Sequence, residues 1–245
     1  MSLQMKIKLK EIDSTNNYLR TLSQEKELEE GTLVWCTSQT QGRGQRGNTW
    51  ESEPDKNLTF SLLLYPDFLH AKDQFYLSEL VAVSIVTELL KFGEGFAIKW
   101  PNDIYWKEKK IAGILIENDL ISDHLYKSII GVGLNVNQTV FVSDAPNPVS
   151  LKQITGMDYD LESLLEQITS RIYTNYLNLI SEGPVSLHDK YMHNLYRRDG
   201  YFKYRDENGE FNARIISIQP SGHLQLKTES GETRLYAFKE VEYLR

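Results

Sequence analysis

The chain has 245 residues, 40% of them hydrophobic and 25% charged, and carries a formal net charge of −7. This is the composition of a folded globular protein, long enough for one large domain or a large and a small one. A net acidic chain is not built as a general nucleic-acid binder, so an anionic ligand must be held by a local cluster of Arg and Lys. No run approaches the ~18 apolar residues of a membrane span. The first residues alternate charge and apolar side chains and lack the apolar core of a signal peptide. A cytoplasmic protein without membrane contact is expected. The single cysteine, Cys36, excludes an intrachain disulfide. It lies in an apolar, strand-like run and reads as a buried structural thiol.

In chain order, residues 7–10 read as a short strand. Ser14 or Thr15 then caps a helix to about residue 22. Residues 32–38 read as a strand that runs directly into Gly42-Arg43-Gly44-Gln45-Arg46-Gly47-Asn48-Thr49-Trp50. Glycines let backbone N–H groups approach an anion closely. Arginine offers a planar donor fork for phosphate or carboxylate. A tryptophan can stack on a flat ring. The loop therefore suits an anionic ligand that carries a flat heterocycle, such as a nucleotide.

Residues 57–65 form an apolar run stopped by Pro66 and read as a buried strand. Residues 73–92 read as a largely buried helix ended by Gly93. Lys99-Trp100-Pro101-Asn102-Asp103 then places a cation, an amide and a carboxylate around a stiff proline. Residues 110–118 and 126–134 read as two strands joined by a polar turn. The first opens as Lys110-Ile111-Ala112-Gly113-Ile114-Leu115-Ile116-Glu117. The second ends as Gly131-Val132-Gly133-Leu134-Asn135-Val136-Asn137. Its glycines permit close ligand approach, and Asn135 has the paired donor and acceptor that could read a base edge. Asp160 caps a long helix that Gly183-Pro184 ends, and a short helix follows to about residue 196. From residue 201 the texture changes to short strands at 201–205, 211–219, 223–227 and 233–238, separated by Gly-containing turns. The last ~45 residues read as a small all-β module on an α/β body.

The four motif segments, in this order, resemble the biotin–protein ligase family. Its members carry a Gly-Arg-Gly loop ending near Trp, then Lys-Trp-Pro-Asn-Asp, then Lys-φ-Ala-Gly-φ-Leu-φ-Glu, then Gly-φ-Gly-φ-Asn, where φ is apolar. Asp13-Ser14-Thr15-Asn16 fits the family's Ser-Thr-Asn element. The resemblance spans about residues 10–140, and the β-rich tail less specifically. It implies an α+β fold: a class II synthetase-like biotin/lipoate ligase catalytic domain, with a mixed sheet and helices, over residues 1–196. A small SH3-like β-barrel over residues 197–245 would follow.

The resemblance also implies a two-step reaction. Biotin's carboxylate attacks the α-phosphate of ATP, giving biotinyl-5′-AMP and pyrophosphate. A lysine on a biotin carboxyl carrier protein, or on the carrier domain of a biotin-dependent carboxylase, then displaces AMP. Arg43 and Lys110 match the positions that hold the carboxylate and the α-phosphate. Ser14, Thr15, Asn16 and Gln39 would bind the biotin ring, with Gly42, Gly44, Gln45 and the backbone at Gly113 and Leu115. Arg46, Trp50, Lys99, Asn102, Asp103, Gly133 and Asn135 fall on the ATP side, with Trp50 packed on adenine and Asn135 hydrogen-bonded to it. Mg²⁺ would accompany ATP, with Asp103 orienting it or its waters. Many relatives have an arginine where this chain has Gln45, and Arg46 is expected to cover part of its role.

Since the resemblance begins near residue 10 and the charge is acidic, no DNA-binding repressor function is expected. Monomer and homodimer both stay open. A lipoate or octanoate ligase of the same fold is the alternative, although the Arg-Arg pair, glycine run and His-Asp pair of lipoate ligases are missing here. A non-catalytic biotin- or nucleotide-binding regulator is a further alternative, against which the presence of both Lys110 and Asp103 argues.

Overall fold

The computed structural model describes residues 5–143 and 147–244. Strand β1 (Lys6–Ile12), helix α1 (Thr15–Glu25) and strand β2 (Leu33–Gln39) form a βαβ unit in which the two strands pair in parallel. Strand β3 (Leu58–Leu64) is buried along its whole length. Helix α2 (Phe75–Leu89), β4 (Phe96–Lys99), β5 (Asp103–Trp106), β6 (Lys109–Ile121) and β7 (His124–Leu134) follow. They complete a seven-stranded sheet of order β1-β2-β3-β7-β6-β5-β4, antiparallel after the first pair.

The two faces of this sheet carry different helices. Val34, Leu63 and Ile129 pack with Leu19 of α1. Their neighbours Leu33, Leu62 and Ile130 point the other way, into the main core. That is the period-2 alternation of a strand. On the main-core face lie α2, α4 (Leu161–Glu182) and α5 (Val185–His193). Helix α2 is buried nearly all round because it is covered by both the sheet and the other two helices. Asp160 caps α4 by accepting from Ser163 N–H, and Gly183 ends it with φ of 77°. Ser14 takes the N-cap position of α1 without a side-chain cap bond. No described helix is long and apolar enough to cross a membrane.

The tail is a second, antiparallel sheet of order β11-β10-β9-β8-β12. It is built from β8 (Phe202–Asp206), β9 (Gly209–Ile218), β10 (Leu224–Thr228), β11 (Thr233–Tyr236) and β12 (Glu242–Tyr243). Tyr204, Ile218, Leu224 and Leu226 of this sheet join the same hydrophobic cluster as the body. Trp100 Nε1–H donates to Gly222 O at 2.8 Å across the junction. The short strands expected from residue 201 form a sheet of their own, and the hydrophobic core is continuous between it and the body.

Several elements differ from the sequence reading. The helix expected over 73–92 is α2 followed by a 3-10 turn, Leu90–Phe92. The sequence places no strands on either side of Pro101, where the structure has the β4–β5 hairpin. Its strands have four residues each, too few to show a period. A short helix α3 (Leu151–Thr155), held by a reciprocal Ser150–Gln153 capping box, was also not foreseen.

Candidate active site

The floor of the site is the α1-facing side of β6 and β7. Gly113 pairs with Gly133 and Leu115 with Gly131. These residues share a face, so the sheet surface there is bare of side chains apart from Leu115. The space left is filled by neighbours. A Cβ on Gly133 would stand 2.3 Å from the Trp50 indole, and one on Gly131 would stand 2.4 Å from Asn16 Oδ1. The Trp50 indole therefore packs against the glycine floor, and its Nε1–H is buried without a partner.

One wall is the start of α1. Thr15 N–H donates to Gln39 Oε1 at 2.8 Å, and Thr15 Oγ1–H lies 3.2 Å from the same oxygen. Ser61 Oγ lies 2.8 Å from Thr15 Oγ1 and 2.5 Å from Asn16 Oδ1. Asn16 Nδ2–H in turn donates to Glu117 Oε2 at 2.9 Å. Ser14, Thr15 and Asn16 are all buried, so this polar set is fixed by mutual bonds rather than by water.

The glycine-arginine loop closes over the floor as a tight hairpin. Arg43 bridges Thr49, Gly44 N–H donates to Asn48 O at 2.7 Å, and Trp50 N–H donates to Gly42 O at 2.9 Å. Residues 45–47 make one 3-10 turn. The Arg43 guanidinium points back to the wall and donates to Asn17 Oδ1 at 2.6 Å and Glu117 Oε1 at 2.8 Å.

The opposite wall comes from the β4–β5 turn and the tail. Lys110 Nζ sits 2.7 Å from Asp103 Oδ1 and 5.8 Å from the Trp50 ring centroid. Lys99 Nζ donates to Tyr105 OH at 3.1 Å and lies over the Tyr105 and Tyr243 rings. Burial holds the Lys99 ammonium below the usual lysine range, although Asp103 opposes this. Asn102 is buried and donates to Ile114 O at 2.7 Å, which fixes the turn against β6. Arg197 donates to Leu244 O at 2.6 Å and brings a further cation to the tail side.

These walls enclose a cavity of about 700 Å³, within the usual size of a small-molecule site. Ser14, Thr15, Asn16, Gln39, Arg43, Gly44, Gln45 and Trp50 line it. So do Lys99, Asn102, Asp103, Lys110, Gly113, Leu115 and Gly133. Two expected residues stand back from the lining. Gly42 lies behind the loop against the Trp50 carbonyl. Asn135 is buried, and its Nδ2–H donates to Val149 O at 3.2 Å. The strand has passed beyond the floor there, so the amide props the loop before α3, and Oδ1 has no partner. The Arg46 side chain lies outside what the structure describes.

A family model described as the biotin/lipoate A/B protein ligase family matches residues 9–135, just over half of the chain. The chain belongs to this family. It is 32% identical over 217 residues to the bifunctional ligase/repressor BirA of Bacillus subtilis, a match covering 85% of this chain and 65% of that protein. The chain thus spans under two thirds of the length of that relative. It is 26% identical over 225 residues to the biotin–[acetyl-CoA-carboxylase] ligase of Paracoccus denitrificans, covering 89% of this chain and 92% of that one. Among solved structures, biotin protein ligase from Aquifex aeolicus in complex with biotin and ATP is similar with a TM-score of 0.81. That match has 29% sequence identity and covers 99% of each chain.

Within this biotin/lipoate ligase fold, the sequence reading missed several residues that build the site. Asn17 and Ser61 hold Arg43 and the α1 start, and neither lies in a motif that signals it. Glu117 ends a motif already singled out, but no role was given to it. It bonds both Asn16 and Arg43. Tyr105 of β5 also lines the cavity, and Arg197 and Tyr243 reach it from the tail side, which no local pattern encodes.

Proposed function

We propose that this chain activates biotin with ATP and transfers it to a lysine of a carrier domain. The observation that carries this reading is that Arg43 and Lys110, from distant segments, line one cavity together with Gly113 and Gly133. In the first step a biotin carboxylate oxygen bonds to the α-phosphorus and the bond to the pyrophosphate oxygen breaks. Two anions must approach, so preorganised cations lower the barrier by screening repulsion and stabilising charge on the phosphoryl oxygens. Lys110 is aimed by its ion pair with Asp103, and Arg43 is within the same cavity. The Thr15, Gln39 and Ser61 set offers hydrogen bonds to a neutral ureido ring, with Leu115 as apolar contact. Trp50 supplies a flat surface toward the nucleotide. In the second step an acceptor lysine amine bonds to the acyl carbon and AMP leaves with the bonding pair. The hairpin at 42–50 shields the acyl-adenylate from water.

Mg²⁺ commonly uses one or two carboxylates, waters and substrate phosphates. Asp103 faces the cavity and fits that donor set; a bound ion would neutralise phosphate charge there. We read the tail sheet as the SH3-like module that the sequence motifs imply, and its Tyr243 and Arg197 side of the cavity suits the nucleotide.

The test is ATP–pyrophosphate exchange with biotin, lipoate or octanoate, followed by transfer to a carrier domain. Exchange is expected with biotin alone, and Lys110→Ala should lower it about a hundredfold or more. Lys109→Ala, on the exposed neighbour, should leave it unchanged. Exchange with lipoate or octanoate would reassign the pocket. Absence of exchange with any acid would overturn the catalytic reading.

A further inference from the structure

At the end of the β6–β7 hairpin remote from the cavity, three metal-ligating side chains meet. His70 comes from the loop before α2, Asp123 from the hairpin turn and His124 from the first position of β7. His70 and His124 face each other in an antiparallel bridge. It is flanked by Ala71 N–H to Asp123 O at 2.7 Å and Leu125 N–H to Leu69 O at 2.9 Å. The two histidines are thus a non-hydrogen-bonded pair, the geometry in which facing side chains come nearest. Their ring centroids are 4.1 Å apart. Asp123 Oδ2 lies 3.1 Å from His70 Nδ1, and its Oδ1 lies 2.9 Å from His124 Nδ1.

One donor atom from each of the three residues lies within 4.8 Å of the others. In a tetrahedral site with bonds of ~2.0–2.1 Å, neighbouring ligands stand about 3.3 Å apart. The trio is close to that spacing, and its backbone is already fixed by the bridge. The ion pairs of Asp123 among the described residues are with these histidines, so no Lys or Arg competes for its carboxylate. All three side chains are exposed enough to admit an ion, at 44%, 72% and 43% of their free surface for His70, Asp123 and His124.

We propose that His70, Asp123 and His124 form a binding site for a divalent transition ion. Two imidazoles and one carboxylate match Zn²⁺ best, with water completing the coordination. The bound ion would clip the loop before α2 to the hairpin, joining residues 53 apart in sequence. An ion that binds the folded chain alone raises its thermal stability by mass action. From Gly113 to Ile121 the strand runs about 27 Å at ~3.4 Å per residue. The ion therefore leaves the reaction in the cavity untouched.

The test uses the full chain without an affinity tag, stripped of metal, with Zn²⁺ alone as the probe. Calorimetric titration should show one Zn²⁺ per chain, and Zn²⁺ should raise the melting temperature. His70→Ala or His124→Ala should each weaken binding about tenfold or more and abolish the rise. Melting without Zn²⁺ and exchange activity should stay as in the parent chain, which shows that the variants fold. Failure of the parent chain to bind Zn²⁺ stoichiometrically would overturn the proposal. Equal Zn²⁺ affinity in the parent and in the H70A/H124A double variant would overturn it too, because the ion would then sit elsewhere.

Discussion

A single methyl group is enough to probe the floor of the cavity. In Gly133→Ala the new Cβ would meet the rigid Trp50 indole at 2.3 Å, and in Gly131→Ala it would meet Asn16 at 2.4 Å. Overpacking of this kind costs about 1–3 kcal/mol. The two variants should fail differently. G133A should lift Trp50, seen as a shift in tryptophan emission, and weaken ATP. G131A should push Asn16 off Ser61 and Glu117 and weaken biotin. Separate KM values for the two substrates in the exchange assay would check this; equal losses in both would argue against two subsites on one floor. At this scale the sequence was informative where chemistry and motif coincide, as at Arg43, Lys110 and Asp103. It was silent on Ser61 and Asn17, because their roles come from where β3 and α1 lie. It expected Asn135 beside adenine, whereas in the structure the Asn135 amide donates to Val149 O and its paired donor and acceptor serve a buried loop equally well.

Helix α2 carries two carboxylates into the core, and each has an answer from a neighbouring helix. Glu88 accepts from Arg171 of α4 at 2.8 Å and from Lys91. Glu79 lies 2.9 Å from His188 Nδ1 of α5. Burial pushes the Glu79 carboxyl up, and the hydrogen bond to Glu79 raises His188 above its ordinary 6.5. The His188 contribution is therefore complete below pH 6.5 and is lost as pH rises through the raised value. His188→Ala leaves a buried carboxyl without its partner and should cost about 1–3 kcal/mol. His188→Gln keeps a donor that does not titrate, so its melting temperature should fall less steeply than the parent's as pH rises above 6.5. Parallel melting curves across that range would show that the pair does not titrate on unfolding. Element by element, long periodic segments were readable: α2, α4, β3 and β7. The β4 and β5 strands, α3 and β12 were not, since pairing rather than local pattern makes them.

The whole molecule is held by a core that passes from the body into the tail sheet. Body and tail should therefore unfold in one transition, coincident by far-UV circular dichroism and tryptophan emission. Trp100→Phe removes the bond to Gly222 O and should lower stability by about 1 kcal/mol while the transition stays single. A separate early transition of the tail would show that the shared core does not couple them. The charge pattern works at this scale as well. The chain is net −7, but Arg43, Lys99, Lys110, Arg197 and Lys239 line the cavity against Asp103, Glu108 and Glu242. Composition foresaw such a local reversal, and only the fold shows that the tail contributes to it.

The contact between Arg43 and Glu117 makes the protein its own competitor. A carboxylate arriving at Arg43 finds one already bonded there at 2.8 Å. On the proposed function, binding there is an exchange of one anion for another. The partly exposed pair is worth about 1 kcal/mol or less, so the tenant is weak and easily displaced. It still keeps the guanidinium from wandering, together with the bond to Asn17 Oδ1.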